Sequence, residues 1–81
     1  MVRHEDVVRV HRVLAVMHFL SAVSGDTAVD INEVARHAQP MSEGEVSELL
    51  RCCKELGYVI EENGRFYLTY KGVLSALSIS S

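Results

Sequence analysis

The chain has 81 residues, enough for one small domain and too few for a second. Hydrophobic residues make up 48% of it, Trp is absent, and eleven acids against eight bases give a formal charge of -3. That balance excludes a general basic coat for nucleic acid, so any such binding must use local patches.

The aliphatic load is high for so small a core, and a second subunit covering part of it is the expected remedy. No signal peptide is expected, because Arg3, His4, Glu5 and Asp6 open the sequence and no small-residue cleavage site follows an apolar core. The richest apolar run, residues 13–17, is bounded by Arg12 and His18, far short of the ~20 residues a membrane span needs. An intracellular protein is expected, without membrane contact.

A first helix is predicted over 6–23, stopped by Ser24-Gly25-Asp26. Its apolar positions point nearly all the way round a 3.6-residue wheel, where a surface helix shows one stripe. One face is expected to meet the chain's own core and another a partner chain, through Val10, Val13, Leu14, Met17 and Leu20. His4, His11 and His18 stand seven apart, ~10.5 Å along a helix, too far for one metal to bind two of them. No metal site is expected. Arg3, Arg9 and Arg12 either flank a DNA backbone in a dimer or solvate the helix ends.

Thr27-Ala28-Val29 is β-leaning, a candidate third strand beside a later hairpin. A second helix is predicted over 31–38, capped by Asp30 with Glu33 three residues on, a D-x-x-E variant of the capping box. Gln39-Pro40 ends it. A third helix is predicted over 42–56. Ser42 and Glu45 form an S-x-x-E box, Val46, Leu49, Leu50, Cys53 and Leu56 follow the helical apolar spacing, and Gly57 is the stop. Cys52 and Cys53 are neighbours ~100° apart on this helix and cannot bridge, which leaves one buried thiol and one at the flank.

Residues 58–69 read as two strands turning at Asn63-Gly64, the strongest short hairpin signal. A short last helix is predicted over 70–78, with Val73, Leu74 and Leu77 facing inward. The fold class is therefore α+β, mainly α, in one domain spanning residues 1–81. No catalytic constellation, phosphate-cradling glycine loop or cofactor motif is present, and neither an enzyme nor a cofactor is expected.

These motifs together resemble the winged helix-turn-helix superfamily, in particular the small transcription regulators of bacteria, archaea and their viruses. The resemblance covers roughly residues 31–77. It is carried by INEVARHA and by MSEGEVSELLRCCKELGYVIEENGRFYLTYKG, with Val46-Ser47-Glu48-Leu49-Leu50, Leu56-Gly57-Tyr58-Val59-Ile60 and Leu68-Thr69-Tyr70-Lys71-Gly72 as its pieces. It implies a three-helix core with a β-hairpin wing and a short C-terminal helix. It also implies that the helix over 42–56 enters the major groove of double-stranded DNA while the wing touches backbone or minor groove.

Carried over by position, the DNA-facing residues are Ser42, Glu43, Gly44, Ser47, Glu48, Arg51 and Lys54 on the helix and Asn63 and Arg65 on the wing. The implied function is a transcriptional regulator working as a homodimer at the nucleoid, held together by the first helix with help from Leu77 of the last. The helix departs from the pattern in charge: Glu43, Glu45, Glu48 and Glu55 outnumber Arg51 and Lys54. Glu48 on the reading face can accept from a cytosine amino group but is repelled by phosphates, or it pairs on its own helix with Arg51 or Cys52. An acidic helix of this kind fits equally a winged-helix protein-interaction module that binds a protein partner and no DNA.

Overall fold

The computed structural model describes residues 4–78, with side chains from residue 7 on. Arg3 and the His4 side chain lie outside the described residues. Four helices and one hairpin follow in order: α1 (His4–Phe19), α2 (Ile31–His37), α3 (Glu43–Glu55), β1 (Val59–Glu62), β2 (Arg65–Leu68) and α4 (Tyr70–Ser78). The molecule is thus mainly helical with a two-stranded antiparallel sheet. None of the described helices is long and apolar enough to cross a membrane.

The first helix ends four residues earlier than its apolar pattern suggests. Ser21 sits at φ 59°, in the left-handed region usually held by glycine. Its N–H donates to His18 O at 3.0 Å and that of Ala22 to Met17 O at 3.0 Å, the paired bonds of a Schellman stop. Ala22 then turns back into the core while Phe19 is left 75% exposed.

Around α1 lie α3 and α4, with α2 and β2 closing the remaining sides. Val10, Val13, Leu14 and Met17 are buried in the chain's own core with Val34, Val46, Leu50, Cys53, Val59, Phe66 and Leu68. The expectation that those four α1 residues form a subunit interface is therefore corrected. They lie on the inward side of α1 and are already covered, each full burial contributing about 1.5–3 kcal/mol. Leu20 is half-buried and Leu77 is exposed.

Asp30 Oδ1 accepts from Glu33 N at 2.8 Å, but the Glu33 carboxylate turns to Arg36 instead of completing the box. The α2–α3 turn contains a cis Gln39–Pro40 peptide. Ser42 caps α3 reciprocally: its Oγ accepts from Glu45 N at 3.1 Å, and Ser42 N donates to Glu45 Oε1 at 3.4 Å. At the other end Gly57, at φ 82°, closes α3 with a second Schellman pair, Gly57 N to Lys54 O and Tyr58 N to Cys53 O.

The hairpin pairs Val59 with Leu68 and Glu62 with Arg65, and Asn63 and Gly64 both take the positive φ that a tight I′ turn demands. Val59, Phe66 and Leu68 point into the core. The expected third strand shrinks to one bridge, Val29 with Phe66, because residues 25–27 coil into a 3-10 turn just before it.

The last helix occupies the predicted range, and of the three residues expected to face inward only Val73 packs against the core. Its buried residues are Gly72 and Ala76, whereas Leu74 and Leu77 are about half exposed. Glycine is obligatory at position 72, since a Cβ there would overlap the Tyr58 carbonyl oxygen. With room only for backbone, α4 lies directly on the α3–β1 turn and carries its large side chains outward.

Candidate functional site

The nine residues singled out from the sequence fall on two elements that share a brace. Glu43, Gly44, Glu48, Arg51 and Lys54 are exposed on α3 and Ser47 is half-buried, while Ser42 caps the helix start. Asn63 and Arg65 stand exposed at the turn of the hairpin. Lys54 Nζ reaches across to Glu61 Oε1 at 3.0 Å, linking the exposed flank of α3 to β1. Exposed pairs of this kind contribute ~1 kcal/mol or less, so Lys54 can exchange its partner at little cost.

Glu43 does not project freely from the helix start. The Asn32 amide of α2, oriented to satisfy both groups, donates to the two Glu43 carboxylate oxygens. This contact joins α2 to α3 and consumes one of the acids that the sequence places on the outward face. Glu48, for which pairing along its helix is one of two alternatives, has no ion pair with Arg51 among the described residues. Glu48 and Glu55 are both exposed.

The cations sort sharply by partner. Arg9 binds Glu45 at 3.1 Å, tying α1 to α3, and Arg12 donates to Gln39 O at 2.7 Å, tying α1 to the α2–α3 turn. Arg36 binds Glu33 and Lys54 binds Glu61. Lys71 donates to Leu56 O at 2.8 Å and lies 5.0 Å from the centre of the Tyr58 ring. Among the described Lys and Arg residues, Arg51 and Arg65 are the side chains without an acid or carbonyl partner. One lies on the open face of α3, the other at the hairpin turn. Sequence reading offered Arg9 and Arg12 as alternatives for a charged surface, but their partners Glu45 and Gln39 lie more than 25 residues away and leave no local signal.

Between α1 and the adjoining flank of α3 is a cavity of about 530 Å³, bounded by Val10, His11, Leu49, Cys52, Leu56 and Tyr58 and lined also by Glu48 of the candidate set. It is of the size small apolar ligands occupy. Among the described residues, His11 Nδ1 is buried and has no hydrogen-bond partner. No group of three His, Cys, Asp or Glu side chains among the described residues is placed to hold a metal ion.

Comparison with protein-family models and with curated proteins returns no match.

Proposed function

We propose that this chain is a DNA-binding transcriptional regulator acting as a homodimer on a winged helix-turn-helix scaffold. In this reading α2 and α3 form the helix-turn-helix, α3 enters the major groove, and the β1–β2 hairpin is the wing on the backbone or minor groove. The protein works at the nucleoid, without a cofactor and without catalysis.

The observation that carries the proposal is the distribution of cations. Five described basic residues are held by acids or carbonyls of the chain itself, and Arg51 and Arg65 are left open on the two elements the reading requires. In this reading Arg51 takes a guanine edge bidentately, and Arg65 with Asn63 holds phosphate. Ser47 donates to a phosphate beside Arg51. Glu48, repelled by phosphate, selects for a cytosine amino group and so lends specificity at the expense of affinity. Cationic phosphate contacts are few, one Arg65 per copy, so the dimer has a salt slope of about -2, modest for a regulator.

Fluorescence anisotropy with a short duplex at low salt tests the reading. Arg51→Ala should flatten discrimination between sequences by about 1–3 kcal/mol, whereas Arg65→Ala should weaken all duplexes alike and reduce the salt slope by about one per site. Equal binding by wild type and both variants would count against it. A second reading, a winged-helix module that binds a protein, is favoured by Glu48 and Glu55, which leave the α3 face acidic around Arg51. It predicts no duplex binding at any salt concentration.

A further inference from the structure

Helix α4 is built inside out. Its small residues, Gly72 and Ala76, are buried, while Tyr70, Leu74 and Leu77 are 80%, 50% and 49% exposed. Tyr70, Leu74 and Leu77, at i, i+4 and i+7, form one outward apolar stripe along the helix, while half-buried Val73 beside them packs against the core. The stripe carries no charge. Lys71, the single charged residue of α4, is turned back onto Leu56 O and the Tyr58 ring.

We infer that this stripe is the surface through which a second copy of the chain docks, α4 against α4 about a two-fold axis. The inference rests on the homodimer reading above and relocates its contact from α1 to α4. Two observations select a second copy as the occupant. A two-fold contact sets each residue near its own counterpart, so a surface pairs with itself only if like charges are absent. Four of the other exposed apolar residues fail that condition: Phe19 adjoins Arg12 and His37, Leu56 and Val7 share a cleft with Arg9, Glu45 and Glu48, and Ile60 precedes Glu61 and Glu62.

The area also fits. Tyr70, Leu74 and Leu77 expose on the order of 400 Å² per copy, so covering them in a pair buries about 800 Å², the size of a weak, micromolar contact. Because α4 is bolted to the end of α3, through Lys71 to Leu56 O and through Thr69 Oγ1, which donates to Gly57 O at 2.7 Å, pairing two α4 helices also fixes the spacing of two α3 helices. Duplex half-sites one turn apart demand such a fixed spacing.

Sedimentation of the full chain over about 1–100 μM tests this, since that range brackets micromolar self-association. Wild type should reach the dimer. Leu74→Glu with Leu77→Glu should raise the dissociation constant at least ~100-fold while far-UV dichroism stays unchanged, and melting should lose its dependence on concentration, because both side chains are half in water already and only the coupling of assembly to folding is removed. Tyr70→Lys, at a still more exposed position, should weaken assembly about tenfold, and Phe19→Glu should leave it intact. A wild type that stays monomeric throughout, or a Leu74/Leu77 variant that dimerises like wild type, overturns the inference. Duplex binding is read separately: a wild type that dimerises through α4 yet binds no duplex removes the DNA reading and leaves the interface standing.

Discussion

Gly72 rests on the Tyr58 carbonyl, so that α4 and the α3–β1 turn meet backbone to backbone. The same carbonyl accepts from Thr69 N at 2.9 Å, and Thr69 Oγ1 accepts from Gly72 N at 3.0 Å. A single methyl group at Gly72 must therefore displace α4 rather than fill a gap. Gly72→Ala is expected to cost about 2–3 kcal/mol, the usual penalty for overfilling a packed contact, measured by urea denaturation.

Ser21 offers the opposite experiment. It holds a left-handed conformation at the end of α1 with a side chain that disfavours it. Ser21→Gly should stabilise the chain by about 0.5–1 kcal/mol, and Gly57→Ala, at the equivalent stop of α3, should destabilise it by about 1 kcal/mol or more. Paired thermal melts of the two variants report both signs.

Burial pushes the Cys53 thiol from its ordinary value of 9.0 up to about 12, with the adjacent Cys52 adding to the rise. The fold therefore favours the protonated thiol, and the unfolded chain ionises first. Stability from this group is complete below pH ~9 and is lost towards pH 12 at about 1.4 kcal/mol per unit. The stability gap between wild type and Cys53→Ala should shrink over that range. Iodoacetamide at pH 8 should label half-buried Cys52 readily and Cys53 only on unfolding.

Local chemistry made much of this fold legible. Ser42, Glu45, Gly57, Asn63 and Gly64 each impose a cap, a stop or a turn by themselves, and the third helix, the hairpin and the range of the last helix follow from them. What stayed hidden depended on distant partners or on a residue acting against its type. Ser21 stops α1 in a conformation that its sequence does not advertise. Apolar residues all round α1 suggested a partner chain, but folding buries Val10, Val13, Leu14 and Met17 internally and leaves Val8 and Phe19 outside. Leu74 and Leu77 read as core because periodicity finds an apolar stripe without saying which way it points; only the contact of Gly72 with Tyr58 sets the direction. At the candidate site, the positions of Arg51 and Arg65 were readable, whereas the partners that occupy Arg9, Arg12 and Glu43 were not.

Glu48 tests whether the outward face of α3 approaches phosphate. If it does, Glu48→Gln should raise affinity for arbitrary duplexes by roughly threefold to fivefold, removing a repulsion worth about 1 kcal/mol near a charged surface, while discrimination at its base position falls. Competition anisotropy with matched and scrambled duplexes separates the two effects.

We propose that α3 and the hairpin grip duplex DNA by sequence. Selection from a random duplex library by the purified chain at low salt addresses it most directly. An enriched site of two related half-sites one helical turn apart is expected, lost on Arg51→Ala. Recovery of an unenriched library from folded protein would contradict it.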